Sequence, residues 1–122
     1  EKLESYPLYD IKNVKKLFNS KSEENLYHFF CNKYLDCIIV PNVRLYDLIE
    51  IEIIKPHYTI GEFNYLRNCI LDFVFYSEKG VPLKVIELQM GQHHDQQEYM
   101  KKDELKKSAL LRVRIPFEEI FG

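Results

Sequence analysis

Two apolar segments that lie five residues apart constrain the fold of this chain more than any other feature of its sequence. They cover residues 69–76 and 82–89, and the turn-forming residues 77–81 separate them. The first is rich in β-branched and aromatic residues, and the second carries Val85 and Ile86 among other apolar residues, which predicts a β-hairpin. Because both are apolar on both faces, we expect this hairpin at the centre of a sheet that is covered on its two sides.

Helices and strands are predicted on either side of the hairpin. Ser20 and Glu23 have the spacing of a capping box, which opens a helix that runs to about Tyr34. A strand is predicted over residues 37–45, where Pro41 marks a bulge or an edge position. Leu26, Phe29 and Phe30 are expected to pack from the first helix. After the hairpin, a long helix is predicted over about 96–113 and a last strand over 115–121.

The predicted fold class is therefore α/β, with a small mixed four-stranded sheet and helices on both faces. The order is helix, strand, hairpin, helix, strand. We expect residues 1–19 to form a linker and a short helix, and residues 20–122 to form a single domain. Residues 49–54 favour a strand or an irregular segment that ends at Pro56, and a short helix is predicted over about 62–67.

The charge of the chain excludes a general electrostatic nucleic-acid binder, because its formal net charge is −2. Residues 101–114 are nevertheless locally basic. No apolar run approaches the roughly 20 residues that a membrane-spanning helix needs, so no membrane partner is expected. The three cysteines fit neither a zinc module nor a disulfide framework, which indicates thiols in a reducing cytoplasm. The chain opens at Glu1 rather than Met, so we expect it to be part of a longer protein, and a homodimer stays open.

Two acidic residues interrupt the hairpin. If the turn is centred between Lys79 and Gly80, Asp72 lies directly opposite Glu87 on the same face, and Gln89 lies on that face too. Two carboxylates ~5 Å apart across a sheet repel each other. A shared proton, a basic partner or a divalent cation would offset this repulsion. Mg²⁺ suits such a hard oxygen site, whereas structural ion pairs with lysines of a covering helix are the alternative.

This pattern of an aspartate on one strand and Glu-x-Gln on the next resembles the PD-(D/E)XK nuclease superfamily. Over residues 20–121 the chain is similar to one branch, the small very-short-patch-repair-like endonucleases. The second strand is followed by a glycine turn at Gly91 and a histidine, His93 or His94. The next helix carries Asp-x-x-Lys, which is Asp103 and Lys106, and Ile115-Pro116 stands before the last strand. The first helix carries the matching glutamate, Glu23.

The resemblance implies a restriction-endonuclease-like core and a metal-dependent nuclease. Asp72 and Glu87 would bind Mg²⁺ or Mn²⁺ together with the carbonyl of Leu88. Gln89 stands where the superfamily most often has a catalytic lysine, and glutamine can only hydrogen-bond. Lys106 is then a candidate to supply the missing positive charge.

Other residues are expected to support this site. Lys102 and Lys106 are four residues apart and therefore share one side of the long helix, so both are candidates to contact a nucleic-acid phosphate, as is Arg112. His93 and His94 are candidates to contact phosphate or to position a water molecule. The alternative is that they are turn residues without a functional role. Glu23 matches the glutamate on the first helix of that branch, and its place in the capping box gives it a structural role as the alternative.

Two functions follow from these residues. The first is a magnesium-dependent deoxyribonuclease, most simply an endonuclease, that acts through Asp72, Glu87, Gln89 and Lys106. The second is a catalytically weak nuclease-fold domain that binds nucleic acid or a partner protein, as the glutamine at position 89 and the overall acidity suggest.

Overall fold

The hairpin forms the middle of a mixed sheet in this computed structural model, which describes residues 14–89 and 96–121. In chain order the elements are α1 (Lys21–Lys33), β1 (Ile38–Arg44), α2 (Leu45–Leu48), two 3₁₀ turns (Ile51–Ile53 and Lys55–His57), α3 (Ile60–Asn68), β2 (Ile70–Tyr76), β3 (Pro82–Gln89), α4 (Gln96–Arg112) and β4 (Phe117–Phe121).

The strands of the described residues make one four-stranded sheet in the order β1-β2-β3-β4. β1 and β3 each pair antiparallel with β2, whereas β4 pairs parallel with β3. Parallel neighbours need a crossover connection, and α4 occupies the connection between β3 and β4. The predicted α/β class with a mixed four-stranded sheet is confirmed, and Pro41 lies in an edge strand as expected.

Helices cover both faces of the sheet, because successive side chains of a strand point to opposite faces. Phe73 and its neighbour on the same face, Phe75, pack with Phe30 of α1. Val74 instead belongs to a second cluster that includes Leu66 of α3 together with buried residues of α4. The two-sided burial that the apolar hairpin predicted is therefore present.

The start of α1 confirms one half of the predicted capping box. The Ser20 hydroxyl accepts a hydrogen bond from the Glu23 backbone N–H at 3.2 Å. The Glu23 carboxylate, however, accepts from the N–H of Asn19 at 3.1 Å, one residue before the N-cap. Phe29 does not pack as predicted but is 54% exposed, because the adjacent Phe30, about 100° further around the helix, takes the inward position.

Two other stretches differ from or refine the sequence prediction. Residues 1–13 of the predicted linker and short helix lie outside the described residues. Residues 14–19 contain no helix, and the Leu17 carbonyl accepts a hydrogen bond from the Asn42 side chain at 2.6 Å. Residues 49–54 form no strand but include a 3₁₀ turn, and Ile54 is buried in the core cluster that contains residues of α3 and α4. Within the described residues, no helix has the length and apolar character needed to cross a membrane.

Candidate functional site

The hairpin register places Asp72 and Glu87 opposite each other, as the sequence predicted. Phe73 pairs with Ile86, so the next positions along the two strands are Asp72 and Glu87. Here side chains bridge the strands: the Asp72 N–H donates to Glu87 Oε2 at 2.7 Å, and the Leu88 N–H donates to Asp72 Oδ2 at 2.8 Å. Each carboxylate therefore binds the backbone of the other strand, which fixes both in position.

Both carboxylates line a cavity of about 360 Å³ at this end of the sheet. Every predicted site residue that belongs to the described part of the chain lies there, except Arg112. The residues that line the cavity are Ser20, Glu23, Tyr65, Asp72, Glu87, Leu88, Gln89, Lys102, Asp103 and Lys106.

Glu87 is the most buried acid of the cavity, with 4% of its surface exposed, and it is paired with a lysine. Lys106 Nζ lies 2.8 Å from Glu87 Oε1 and also donates to the carbonyl of Ile70 at 3.3 Å. Burial lowers the pKa of Lys106, but the charge and hydrogen bond of Glu87 outweigh burial and raise that pKa above its usual value. The ammonium therefore stays charged, and the basic partner considered from the sequence is present for Glu87.

Asp72 is the acid whose protonation the site changes most. Burial, and then the charge of Glu87, raise its pKa to about 7, although the hydrogen bond from Leu88 N–H opposes the shift. A hydrogen bond between the two carboxyl groups and the charge of Glu23 raise it further. Near neutral pH, this carboxyl group therefore exchanges a proton and would release it when a cation binds.

α4 contributes a second set of charges beside the cavity. Lys107 Nζ lies 3.1 Å from Asp103 Oδ2 and also pairs with Glu119 of β4. Lys102 Nζ lies 5.7 Å from the centre of the Tyr65 ring, which is a cation–π distance. The Lys107–Glu119 pair links α4 to β4, and the Lys102–Tyr65 contact links α4 to α3.

Tyr65 is a further cavity residue, outside the set of predicted site residues. It is half-buried, and burial raises the pKa of its hydroxyl to about 12, although Lys106 opposes the shift. The hydroxyl is therefore protonated at neutral pH. No local pattern announces this position, because it depends on how α3 packs against α4.

Among the predicted site residues in ranges 14–89 and 96–121, Arg112 does not line the cavity. It lies six residues beyond Lys106, on another side of α4. Its guanidinium lies over the Tyr58 ring at 5.5 Å, and its Nε donates to the Tyr58 hydroxyl at 3.3 Å. His93 and His94 fall outside the described residues.

The oxygen atoms that line the cavity are ligands of the chemical kind that a hard divalent cation prefers. The carboxylates of Asp72 and Glu87 and the carbonyl of Leu88 are oxygen ligands of the kind that Mg²⁺ and Mn²⁺ prefer.

Two observations limit how an ion could be held. No group of three or more His, Cys, Asp or Glu residues in the described part of the chain is arranged to hold a metal. A cation would therefore depend on two carboxylates, one carbonyl and water. It would also compete with Lys106, which already occupies Glu87 Oε1.

Comparison with known proteins gives a family. Neither the curated proteins nor the solved structures contain a significant match to the chain. One family, described as "Protein of unknown function (DUF2726)", matches residues 14–121, which is most of the chain. The chain therefore belongs to the DUF2726 family.

Proposed function

We propose that this domain is a metal-dependent nuclease that hydrolyses phosphodiester bonds in DNA. The observation that carries the proposal is the convergence of Asp72 and Glu87, from adjacent strands, in one cavity with Gln89 and Lys106. Placing two acids together is unfavourable unless a cation or proton compensates it. The sequence resemblance to the PD-(D/E)XK superfamily and the α/β fold with a central hairpin support the same function.

The proposed ligands are Asp72, Glu87 and the carbonyl of Leu88. A divalent ion bound there would stabilise charge that develops on the phosphate and lower the pKa of a coordinated water. The protein's own contribution to binding is preorganisation: backbone N–H groups hold one oxygen of each carboxylate. Asp72 must lose its proton to serve as a ligand, which its pKa of about 7 permits at and above neutral pH.

Gln89 and Lys106 divide the work that a single lysine does in most of the superfamily. Gln89 can orient an attacking water through its amide, but it adds no charge. Lys106 supplies a permanent positive charge from α4, 2.8 Å from the Glu87 carboxylate. Glu23 acts from a distance, because its charge contributes to the raised pKa of Asp72.

DNA cleavage by site variants tests the proposal. We expect the purified domain to cleave plasmid DNA with Mg²⁺ or Mn²⁺ but not with EDTA. Asp72→Asn and Glu87→Gln preserve side-chain shape and should each reduce the rate by about 100-fold or more. The matched control is Glu118→Gln, because Glu118 is an exposed acid on β4 that pairs with Lys84. Cleavage that survives in both site variants would overturn the proposal.

A second function is favoured by two observations. Gln89 replaces the usual lysine, and Lys106 is engaged with Glu87 rather than free to face a substrate. The domain would then bind nucleic acid or a protein without efficient cleavage. A DNA mobility shift with no cleavage under Mg²⁺ or Mn²⁺ would support this second function over the first.

The proposal also includes a reducing, cytoplasmic location. All three cysteines are free thiols, and Cys69 is buried. Burial raises the pKa of the Cys69 thiol to about 11, so it is unreactive at neutral pH. Intact thiols in protein purified without reductant would agree with this part of the proposal.

A further inference from the structure

Lys106 already occupies the acidic centre of the cavity as a cation. Its Nζ lies 2.8 Å from Glu87 Oε1 and also donates to the carbonyl of Ile70 at 3.3 Å. The other carboxylate oxygen, Glu87 Oε2, accepts a hydrogen bond from the Asp72 N–H at 2.7 Å. Both oxygens of Glu87 are therefore engaged, one by an ammonium of α4 and the other by the backbone of β2.

These two partners of Glu87 differ in how readily they can be replaced. The Asp72 N–H belongs to a central strand and is held in place by the sheet. The Lys106 ammonium stands at the end of a flexible four-carbon stem, and the side chain is partly exposed and lines the cavity of about 360 Å³. A divalent ion that binds Glu87 Oε1 would therefore displace the lysine and leave the backbone contact in place.

Electrostatics require the displaced ammonium to find another anion. A lysine and a divalent ion on the same carboxylate oxygen would repel each other, so we expect that oxygen to hold one cation at a time. Ile70 offers Lys106 only a neutral carbonyl, and a largely buried ammonium without a counter-charge is unfavourable. A phosphodiester that enters the cavity carries the negative charge that this ammonium needs.

We propose that Lys106 exchanges partners: it leaves Glu87 Oε1 when a divalent ion binds there, and it then pairs with a phosphate of the substrate. This inference rests on the proposed function and adds the regulation of its site. Ion binding and DNA binding are then cooperative, and the coupling is reciprocal. The ion releases the lysine for DNA, and DNA, by holding the lysine, favours the ion at Glu87.

A calorimetric titration with Mn²⁺, in the absence of DNA, tests the first half of the exchange. Lys106→Met should bind Mn²⁺ about tenfold more tightly than wild type, because no ammonium competes and an unpaired buried acid gains most from a cation. For the same reason, Mn²⁺ should raise the melting temperature of Lys106→Met more than that of wild type. A lysine with a structural role alone would give no gain in Mn²⁺ affinity.

The matched control is Lys107→Met. Lys107 is also an ion-paired lysine of α4, but its partners are Asp103 and Glu119, which are not proposed ligands. Its Mn²⁺ affinity should stay within twofold of wild type. Thermal melts should show that both variants are folded under the conditions of the titration.

DNA binding tests the second half of the exchange. The anisotropy of a fluorescein-labelled DNA duplex is measured at several salt concentrations, in EDTA and in Ca²⁺, an ion that also takes oxygen ligands. A gel confirms that the duplex stays intact. Ca²⁺ should steepen the slope of log K against log salt by about one more in wild type than in Lys106→Met, because the released ammonium adds one phosphate contact. Lys107→Met should show the same steepening as wild type.

The wild-type protein also tests the exchange without any substitution. Because its ion pair with Glu87 is largely shielded from water, the Lys106 ammonium should give a ¹⁵N signal in NMR spectra. Saturating Mg²⁺ should shift or broaden this signal, since the lysine then leaves Glu87.

Three results would overturn the inference. They are an Mn²⁺ affinity of folded Lys106→Met that is equal to or weaker than that of wild type, a Lys106 signal that Mg²⁺ leaves unchanged, and an equal effect of Ca²⁺ on the salt slopes of wild type and Lys106→Met. The proposed function fails through a different result, which is DNA cleavage that survives in both the Asp72 and the Glu87 variants.

Discussion

Asp72 is the residue at which protonation and stability are most closely linked. Its pKa in the folded protein is about 7, mainly because of burial and the adjacent charge of Glu87. An aspartate in an unfolded chain has a pKa of about 4. Between these two pH values the folded state binds more protons than the unfolded state. Stability from this group is therefore complete below pH 4 and is lost as pH rises to 7.

The Asp72→Asn variant should remove this pH dependence. We expect it to be more stable than wild type at pH 8 in EDTA by about 1–3 kcal/mol, a range reduced for the solvent that reaches the half-buried carboxylate. The gain should shrink as pH falls towards 4. Urea unfolding from pH 4 to pH 8 measures it, with the exposed Asp36→Asn variant as control. Equal pH profiles for Asp72→Asn and wild type would contradict the linkage.

Lys106 is the residue that keeps the charge of Glu87 compensated. The side chains of Lys106 and Glu87 are 19% and 5% exposed, so their ion pair is largely shielded from water. Lys106→Met should destabilise the fold by about 3 kcal/mol, because it leaves a buried acid without its partner. Lys101→Met, at an exposed position one helical turn or so away, should change stability by less than about 0.5 kcal/mol. Chemical denaturation at pH 7 compares them, and equal losses would refute a special role for the pair.

The sequence predicted some of these residues better than others. The facing of Asp72 and Glu87 was predicted from a symmetric hairpin centred between Lys79 and Gly80. The pairs from Phe73 to Phe75 keep that register, although it shifts by one residue between Phe75 and Tyr76, beside the turn, which the sequence did not predict. Lys106 was predictable as a candidate because its helix had to cover the sheet. An ion pair with a lysine of the covering helix was one of the alternatives left open, and the Lys106–Glu87 contact decides it for Glu87. The position of Tyr65 was not predictable, since it depends on how α3 and α4 pack in three dimensions.

Among the elements, helix starts were encoded locally. Thr59 and Glu62 form a complete capping box at α3, with hydrogen bonds of 2.8 and 3.1 Å between each backbone N–H and the other side chain. The same S/T-x-x-E pattern that identified the start of α1 is present here. It would have placed the helix start at Ile60 instead of about residue 62.

Thr59→Ala tests how much this cap stabilises α3. We expect a loss of about 1 kcal/mol, because the Glu62 N–H loses its acceptor. Thr59→Ser keeps the hydroxyl and should lose only a few tenths of a kcal/mol. Thermal unfolding distinguishes them, and an alanine variant as stable as the serine variant would show that the cap contributes nothing.

Elements without such signals were the ones that sequence reasoning left open. The alternation of Ile and Glu over residues 49–54 fits a strand as well as an irregular segment. The structure resolves the choice through tertiary packing, which buries Ile54 while Ile53 is 67% exposed. Phe29 shows the same limit, because two adjacent aromatic residues on α1 cannot both face the sheet.

At the scale of the whole molecule, the hairpin determined most of the architecture. Two strands that are apolar on both faces require helices on both sides, and α1 packs on one side while α3 and α4 pack on the other. The basic stretch at residues 101–114 is partly neutralised within the fold. Lys106 pairs with Glu87, and Lys107 pairs with Asp103 and Glu119.

The most direct test of the central claim is a calorimetric titration of the domain with Mn²⁺ at pH 7.5. We expect one ion per domain, with the release of a fraction of a proton from Asp72, and binding at least about tenfold weaker in Asp72→Asn and Glu87→Gln. Glu118→Gln should bind as wild type does. Absence of Mn²⁺ binding by the wild-type domain, or equal affinity in all four proteins, would contradict the assignment of Asp72 and Glu87 as a metal site.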